Sequence, residues 1–147
     1  MSASLPACIR PLLFLSALIL SLMPAFSQTP DTYRWTNRLI LIFTPAADDP
    51  QTQQQFALLE PQRSTGLPER DLKIIVLPSP QSENPPQATL EVWRKTFSVT
   101  SDAFTVLLIG KDGTEKFRSL MPVAPEKLFA IIDAMPMRQS EMRRQNP

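Results

Sequence analysis

Residues 38–43 read RLILIF, an arginine followed by five apolar residues. A short apolar run without polar interruptions is typical of a strand that is buried on both faces of a sheet. The turn-rich segment TPAADDP follows over residues 44–50, where Asp48 or Asp49 can cap a helix and Pro50 lies near its first position. The pattern therefore predicts a buried strand, a loop, and a helix over residues 50–59.

The middle of the chain continues this alternation of strands and helices. Residues 72–77 are rich in branched apolar side chains and predict a second strand. The proline-rich residues 78–87 predict an exposed, mobile loop. Thr89 is expected to cap the next helix, whose apolar stripe at i, i+3 and i+7 consists of Leu90, Trp93 and Phe97.

The last part of the chain predicts a hairpin and a closing helix. Residues 104–109 form a third strand, and GKDG at 110–113 is a hairpin signal before a polar edge strand over residues 115–119. A helix begins at Pro125 and repeats its apolar residues at helical spacing: Leu128, Ile131, Ile132 and Met135. Pro136 is expected to end this helix, so residues 137–147 are expected to form a charged tail. Deleting the chain from residue 140 onward should hardly alter stability.

The predicted order is β-α-β-α-β-β-α. Helical connections predict parallel pairing of the first three strands, and the short turn makes the fourth strand antiparallel to the third. This is an α/β, thioredoxin-like (peroxiredoxin-like) three-layer sandwich with a mixed four-stranded sheet. The segment at residues 44–50, where such folds carry a redox motif, contains no sulfur.

The N-terminus predicts export. Arg10 supplies a positive region, residues 12–22 supply an apolar core, and Ala25 and Ser27 are the small residues that a signal peptidase reads. We expect residues 1–27 to be a signal peptide and residues 28–136 to be one domain in the periplasm or secreted. The apolar run is too short for a permanent membrane anchor, although an uncleaved tether remains the alternative.

Composition excludes several classes of chemistry. Cys8 is the single cysteine and lies in the predicted signal, and the chain has no histidine. The mature protein is therefore not a thiol oxidoreductase and has neither a Ser-His triad nor a His-ligated metal. A net charge of +1 gives no general attraction to nucleic acid, and three glycines provide no phosphate loop. We predict no cofactor and no metal; the methionines are too sparse for a copper motif.

Four short motifs resemble one known family. They are WxNRLI at residues 35–40, LxERDL at 67–72, LIGKDG at 108–113 and IDAMPMRxxEM at 132–142. They are similar to the P-DUDES family, a thioredoxin-like domain found in short exported bacterial proteins, in Equarin and in sushi-repeat-containing matrix proteins. The similarity covers nearly all of the mature chain. It implies the same fold without an established activity, and it brings no catalytic residue.

Charged residues supply the candidate binding sites. Arg138, Glu141, Arg143 and Arg144 follow the expected helix end and offer bidentate hydrogen bonds to anionic groups, although a frayed terminus is the alternative. Glu69 and Arg70, in the segment Glu69-Arg70-Asp71, form a second candidate, with a simple ion-paired start of a strand as the alternative.

Two further readings concern the loops near the expected redox end and the hairpin. Asp48, Asp49 and Asp102 can either converge on a cation or serve as caps and loop residues. Lys111 and its neighbours can present a charged loop, or they can simply form the hairpin turn.

Two classes of function follow from the sequence. We expect an exported, non-redox binding or interaction module whose partner is a protein or an anionic polymer outside the cytoplasm. The alternative is a hydrolase or another enzyme that uses carboxylates or an acquired metal. A convergence of acidic groups in a cleft would favour catalysis.

Overall fold

The computed structural model describes residues 29–46, 48–78, 87–99 and 103–145, with only the backbone of Gln87 and Ala88. The predicted signal peptide and residues 79–86 of the loop predicted over residues 78–87 lie outside the described residues, and Gln87 belongs to a helix. In the described ranges, no helix combines the length and the apolar character needed to cross a bilayer.

One mixed sheet forms the centre of the domain. Its strands are β1 Arg38–Phe43, β2 Leu72–Leu77, β3 Thr105–Ile109 and β4 Glu115–Ser119. They lie in the order β2-β1-β3-β4, with β1 parallel to β2 and β3 antiparallel to both β1 and β4. The predicted mixed four-stranded sheet is confirmed, with the hairpin turn between β3 and β4.

The direction of β3 corrects the sequence prediction, which made the first three strands parallel. β3 runs antiparallel to β1, with Thr105 opposite Phe43 and Ile109 opposite Leu39. The preceding helix ends near the carboxyl end of β1, because Arg94 in its last turn lies 5.4 Å above the ring of Phe43. The chain therefore enters β3 from that end of the sheet and runs back toward the start of β1.

Helices cover both faces of the sheet. They are α1 Pro50–Leu59, α2 Gly66–Glu69, α3 Gln87–Thr96, α4 Pro125–Asp133 and α5 Pro136–Gln145, with short 3-10 turns at Pro30–Tyr33 and Glu60–Gln62. The predicted α1 is confirmed, and Asp49 caps it by accepting from Thr52 N at 2.8 Å. α3 starts two residues before Thr89, so the predicted cap at Thr89 is wrong.

The buried positions of β1 alternate between two cores. Leu39, Leu41 and Phe43 pack with α3, whose stripe of Leu90, Trp93 and Phe97 is buried as predicted. Ile40 and Ile42 face the other side, where they join residues of three helices: Leu59 of α1, Leu67 of α2, and Leu128 and Ile132 of α4. A sheet between two helical layers is the three-layer, thioredoxin-like sandwich that the sequence predicted.

The end of the chain differs from the prediction. Pro136 does not lead into a loose charged tail; it is the first residue of α5. Proline is favoured at a first helical position, because the N–H that it lacks has no partner there. The carbonyl of Met135 accepts from Gln139 N at 3.0 Å and closes the first turn. The chain therefore turns at Ala134 and Met135 and begins a second helix.

The segment before β1 contributes a side chain to the core. Tyr33 is buried against the α3 side of the sheet, and its ring centre lies 6.4 Å from that of Trp93. The next residues form a turn in which Trp35 is 64% exposed and has a φ of 66°. Its N–H donates to the carbonyl of Lys111 at 2.6 Å, which holds this left-handed conformation in place.

Candidate functional site

Charged residues gather at the end of the sheet where β1 begins. Arg38 is the first residue of β1, Asp71 immediately precedes β2, and Lys111 follows β3. Because β3 is antiparallel to β1, its final residue Ile109 lies opposite Leu39, near the start of β1. The topology therefore brings these three side chains to one end of the sheet, where α5 contributes further charged groups. We call the whole group the charged cluster: Arg38, Glu69, Arg70, Asp71, Lys111, Asp133, Arg138 and Glu141.

Glu141 of α5 ties together the start of β1 and the hairpin. Its two carboxylate oxygens accept from Arg38 Nη1 at 3.1 Å and Arg38 Nη2 at 3.2 Å, a bidentate pair. Lys111 Nζ donates to the same carboxylate at 2.8 Å and to Asp71 at 2.7 Å. Arg38 is only 1% exposed, so this carboxylate neutralises a charge that water does not reach.

Arg138 organises the other half of the cluster. It is also 1% exposed, and it donates to Glu69 Oε1 at 2.6 Å, to the Glu69 carbonyl at 2.9 Å and to Asp133 at 3.3 Å. Asp133 in turn accepts from Arg70 at 2.7 and 3.0 Å. The guanidinium of Arg70 stacks 4.3 Å above the ring of Phe129. α5 is therefore fastened to α2 and α4 as well as to the sheet.

The enclosed carboxylates are held in their ionised form. Burial alone would raise the pKa of Glu141, but hydrogen bonds from Lys111 and Arg38 and their charges outweigh burial and lower it. Burial likewise opposes ionisation of Asp133, and Arg70 and Arg138 overcome it, so the pKa of Asp133 is also lowered. For Arg70, burial favours the neutral form, yet Asp133 and Glu69 raise its pKa. These directions stabilise fixed ion pairs and do not suit a general acid.

These pKa shifts predict a stability that falls in acid. A carboxyl whose folded pKa lies below its unfolded value stabilises the protein above the unfolded value, near 4.5 for Glu141. That contribution is lost as the pH falls through the lower folded pKa. We expect the difference in free energy of unfolding between the wild type and Glu141→Gln to become smaller below about pH 4.5. Urea unfolding from about pH 7 to about pH 2.5 measures this difference. A difference in free energy of unfolding that stays constant down to the lowest pH would contradict a lowered pKa of Glu141.

The sequence singled out six residues, and the structure brings four of them together. Glu69, Arg70, Arg138 and Glu141 all belong to the charged cluster. Arg143 and Arg144 lie on the exposed side of α5, where Arg143 donates to Ser140 Oγ at 3.1 Å.

Sequence reasoning missed two of the other four members of the cluster, Arg38 and Asp133. It placed Asp71 beside the second candidate and weighed Lys111 as part of the hairpin turn. Arg38 offered a signal, since an arginine beginning a fully buried strand must find a carboxylate partner. Lys111 does lie in the predicted hairpin, but its Nζ reaches Asp71 and Glu141 rather than solvent alone.

A pocket of about 460 Å³ lies beside the cluster, between the hairpin and the junction of α4 with α5. We call it the hairpin pocket. Its walls combine polar groups of the hairpin and of β1 with apolar groups of the two helices: Arg38, Gly110, Lys111, Asp112, Lys116, Ile131, Ala134, Met135, Pro136 and Met137. This volume is within the range of small-molecule sites, roughly 300–1,000 Å³.

The expected redox end, at the opposite end of β1, is filled by hydroxyl and carboxylate contacts. The buried Thr44 and Thr52 hydroxyls lie 2.8 Å apart, and Thr52 also donates to the capping Asp49 at 2.9 Å. Asp49 is thus occupied as a cap, Asp48 is exposed, and Asp102 lies outside the described residues. Within the described ranges, no group of three or more metal-ligating side chains is assembled.

A family model matches residues 29–141, which covers the whole sheet and α5 as far as Glu141. The chain belongs to the family described as domain of unknown function DUF4174. The DUF4174 region includes every member of the charged cluster, so the cluster lies within the family domain and not in an appendage. No curated protein matches the chain.

Proposed function

We propose that this DUF4174 chain is an exported, non-catalytic binding module built on a thioredoxin-like scaffold, with its binding surface at the α5 end of the sheet. The observation that supports the proposal is that the basic side chains of the charged cluster are all ion-paired. Each of its basic side chains is paired with at least one carboxylate, at distances of 2.6–3.1 Å for the nearest pairs. Such pairs fix a surface; they leave no enclosed carboxylate poised to exchange protons near neutral pH.

Export is the second part of the proposal, and it is supported by the sequence. Arg10, the apolar residues 12–22 and the small residues at 25 and 27 follow the order of a secretory signal. Expression of the full chain should release a product that begins at or near Gln28 and lacks a thiol. Intact-mass measurement of the exported fraction tests this, and a retained Cys8 that reacts with maleimide would defeat it.

We expect the purified mature protein to show no thiol-disulfide oxidoreductase or peroxidase turnover. Both reactions need a thiolate, and the segment from Thr44 to Pro50 provides hydroxyls and carboxylates in its place. Insulin-reduction and peroxide-consumption assays measure this directly, with heat-denatured protein as the background. Reproducible turnover above that background would show that the chemistry of the scaffold has been misread.

The enzyme alternative is tested in the same preparation. Metal-free protein is assayed against chromogenic esters, phosphate esters and glycosides, and the binding proposal expects no turnover. Immobilised protein is used in parallel to capture ligands from the exported fraction, with a heat-unfolded sample as the matched control. Turnover that survives purification and chelation would overturn the binding proposal.

A further inference from the structure

We infer that the hairpin pocket binds a small amphiphilic monoanion, with an apolar body and one carboxylate or sulfonate head. This inference rests on the proposed binding function and names the class of ligand for the same end of the sheet. The pocket has two chemically different walls. Ile131, Met135 and Met137 line the helical wall, while Arg38, Lys111 and Lys116 line the wall formed by β1 and the hairpin.

The charge lining the pocket favours an anion. Three basic side chains face the pocket and Asp112 is the acidic one among its lining residues. The carboxylates that neutralise Arg38 and Lys111 belong to Glu141 and Asp71, which do not line the pocket. The residues that line the pocket therefore carry a net positive charge, which attracts a single anionic head group.

Lys116 is the cation best placed to exchange partners. Its Nζ pairs with Asp112 at 2.7 Å, and both side chains are about one-third exposed, at 32% and 34%. An ion pair in contact with water contributes little to stability, so a ligand carboxylate can share Lys116 at small cost. The pocket thus contains a cation that is not locked into the buried part of the charged cluster.

Arg38 supplies an independent observation. Its two Nη atoms donate to Glu141 and to the carbonyl of Arg70, whereas its buried Nε has no hydrogen-bond partner among the described residues. A buried donor without an acceptor is costly and needs an explanation. An anion next to Arg38 in the pocket that it lines would stabilise this guanidinium electrostatically.

The helical wall of the pocket determines which apolar group the ligand can carry. Methionine side chains are flexible and polarizable, so Met135 and Met137 can adapt to an aliphatic or aromatic body. The neutralising carboxylates behind the basic wall disfavour a multiply charged head, because Asp71 and Glu141 would repel the second charge. A single charge on an apolar body satisfies both walls.

Isothermal titration calorimetry on the mature protein tests the inference with decanoate, at concentrations where it is monomeric. Decanol is the control for the charge, because it has the same apolar chain without a carboxylate. Acetate and inorganic phosphate are the controls for the apolar chain, because they are anions that lack it. We expect decanoate to bind with one site, decanol to bind at least about tenfold more weakly, and the bare anions not to bind.

Two variants and one matched control locate the site. Lys116→Gln removes the exchangeable cation and should weaken decanoate binding about tenfold. Ala134→Phe, at an exposed position that lines the pocket, should block decanoate by filling it. Lys95→Gln makes the same change of charge on α3, across the sheet, and should bind as the wild type does. Thermal melting of each variant confirms that it is folded.

The outcomes separate this inference from the proposed function. Failure of the wild type to bind decanoate, or equal binding by the wild type, Lys116→Gln and Ala134→Phe, would overturn the inference. Weakening by Lys95→Gln instead would place binding on the other face and overturn it as well. A protein that captures another ligand but not decanoate retains the proposed function, whereas catalytic turnover would defeat that function itself.

Discussion

Removing residues 137–147 is expected to lower the free energy of unfolding of the domain by about 3–5 kcal/mol. The deletion takes away Glu141, the bidentate partner of the fully buried Arg38, and Arg138, the partner of Glu69 and Asp133. Leaving one buried charge without its partner costs about 3–5 kcal/mol, out of a total stability of roughly 5–15 kcal/mol for a typical domain. Circular dichroism and urea unfolding of residues 28–147 and 28–136 measure the difference.

A point variant separates the ion pair from the packing of α5. Glu141→Gln should lower the free energy of unfolding by about 3 kcal/mol, because an amide cannot neutralise Arg38. Glu115→Gln is the matched control, since Glu115 also pairs with an arginine, Arg118 at 2.7 Å, but on the exposed strand β4. Its effect should remain below about 1 kcal/mol. Equal effects of the two substitutions, or a truncated protein as stable as the wild type, would show that α5 does not fasten the fold.

Gln55→Ala is expected to lower the free energy of unfolding by about 2–6 kcal/mol. The Gln55 side chain is fully buried, and its amide bridges α1 to the segment before α4. Its oxygen accepts from Val123 N at 2.7 Å and its nitrogen donates to the Val123 carbonyl at 3.0 Å. Alanine would leave both backbone groups unsatisfied in the interior, at about 1–3 kcal/mol each.

Two companion variants sharpen the Gln55 experiment. Gln54→Ala changes the exposed neighbour on the same helix and should alter stability by no more than about 0.5 kcal/mol. Gln55→Met keeps most of the side-chain volume but removes the hydrogen bonds. Compared with Gln55→Ala, it should therefore recover only the part of the lost free energy of unfolding that arises from a cavity. Urea unfolding provides the values. A Gln55→Ala protein as stable as Gln54→Ala would rule out the bridging role.

The elements with clear apolar periodicity were predictable from the sequence. β1 is a continuous apolar run, and α3 and α4 place their apolar residues at helical spacing, so their core faces follow from pattern alone. α5 lacks such a signal, because its buried residue is Arg138 and its fastening is ionic. The sequence pattern therefore predicts that Pro136 ends a helix, although proline equally suits a first helical turn.

The site was less predictable than the fold for a physical reason. The pair of Arg38 with Glu141 joins residues 103 positions apart, and Arg138 reaches Glu69 across 69 positions. No local rule of spacing relates such residues; the strand order and the antiparallel direction of β3 bring them together. Their chemistry alone makes Arg138 and Glu141 candidates, whereas their partners follow only from the topology.

The Arg38–Glu141 contact also bears on when the chain can fold. Closing a loop of 103 positions carries a large entropic cost, and contacts of this range form slowly. Until α5 docks on the sheet, Arg38 lacks the carboxylate that neutralises it in the folded domain. We therefore expect the docking of α5 to be a late step of folding, after the strands of the sheet have paired.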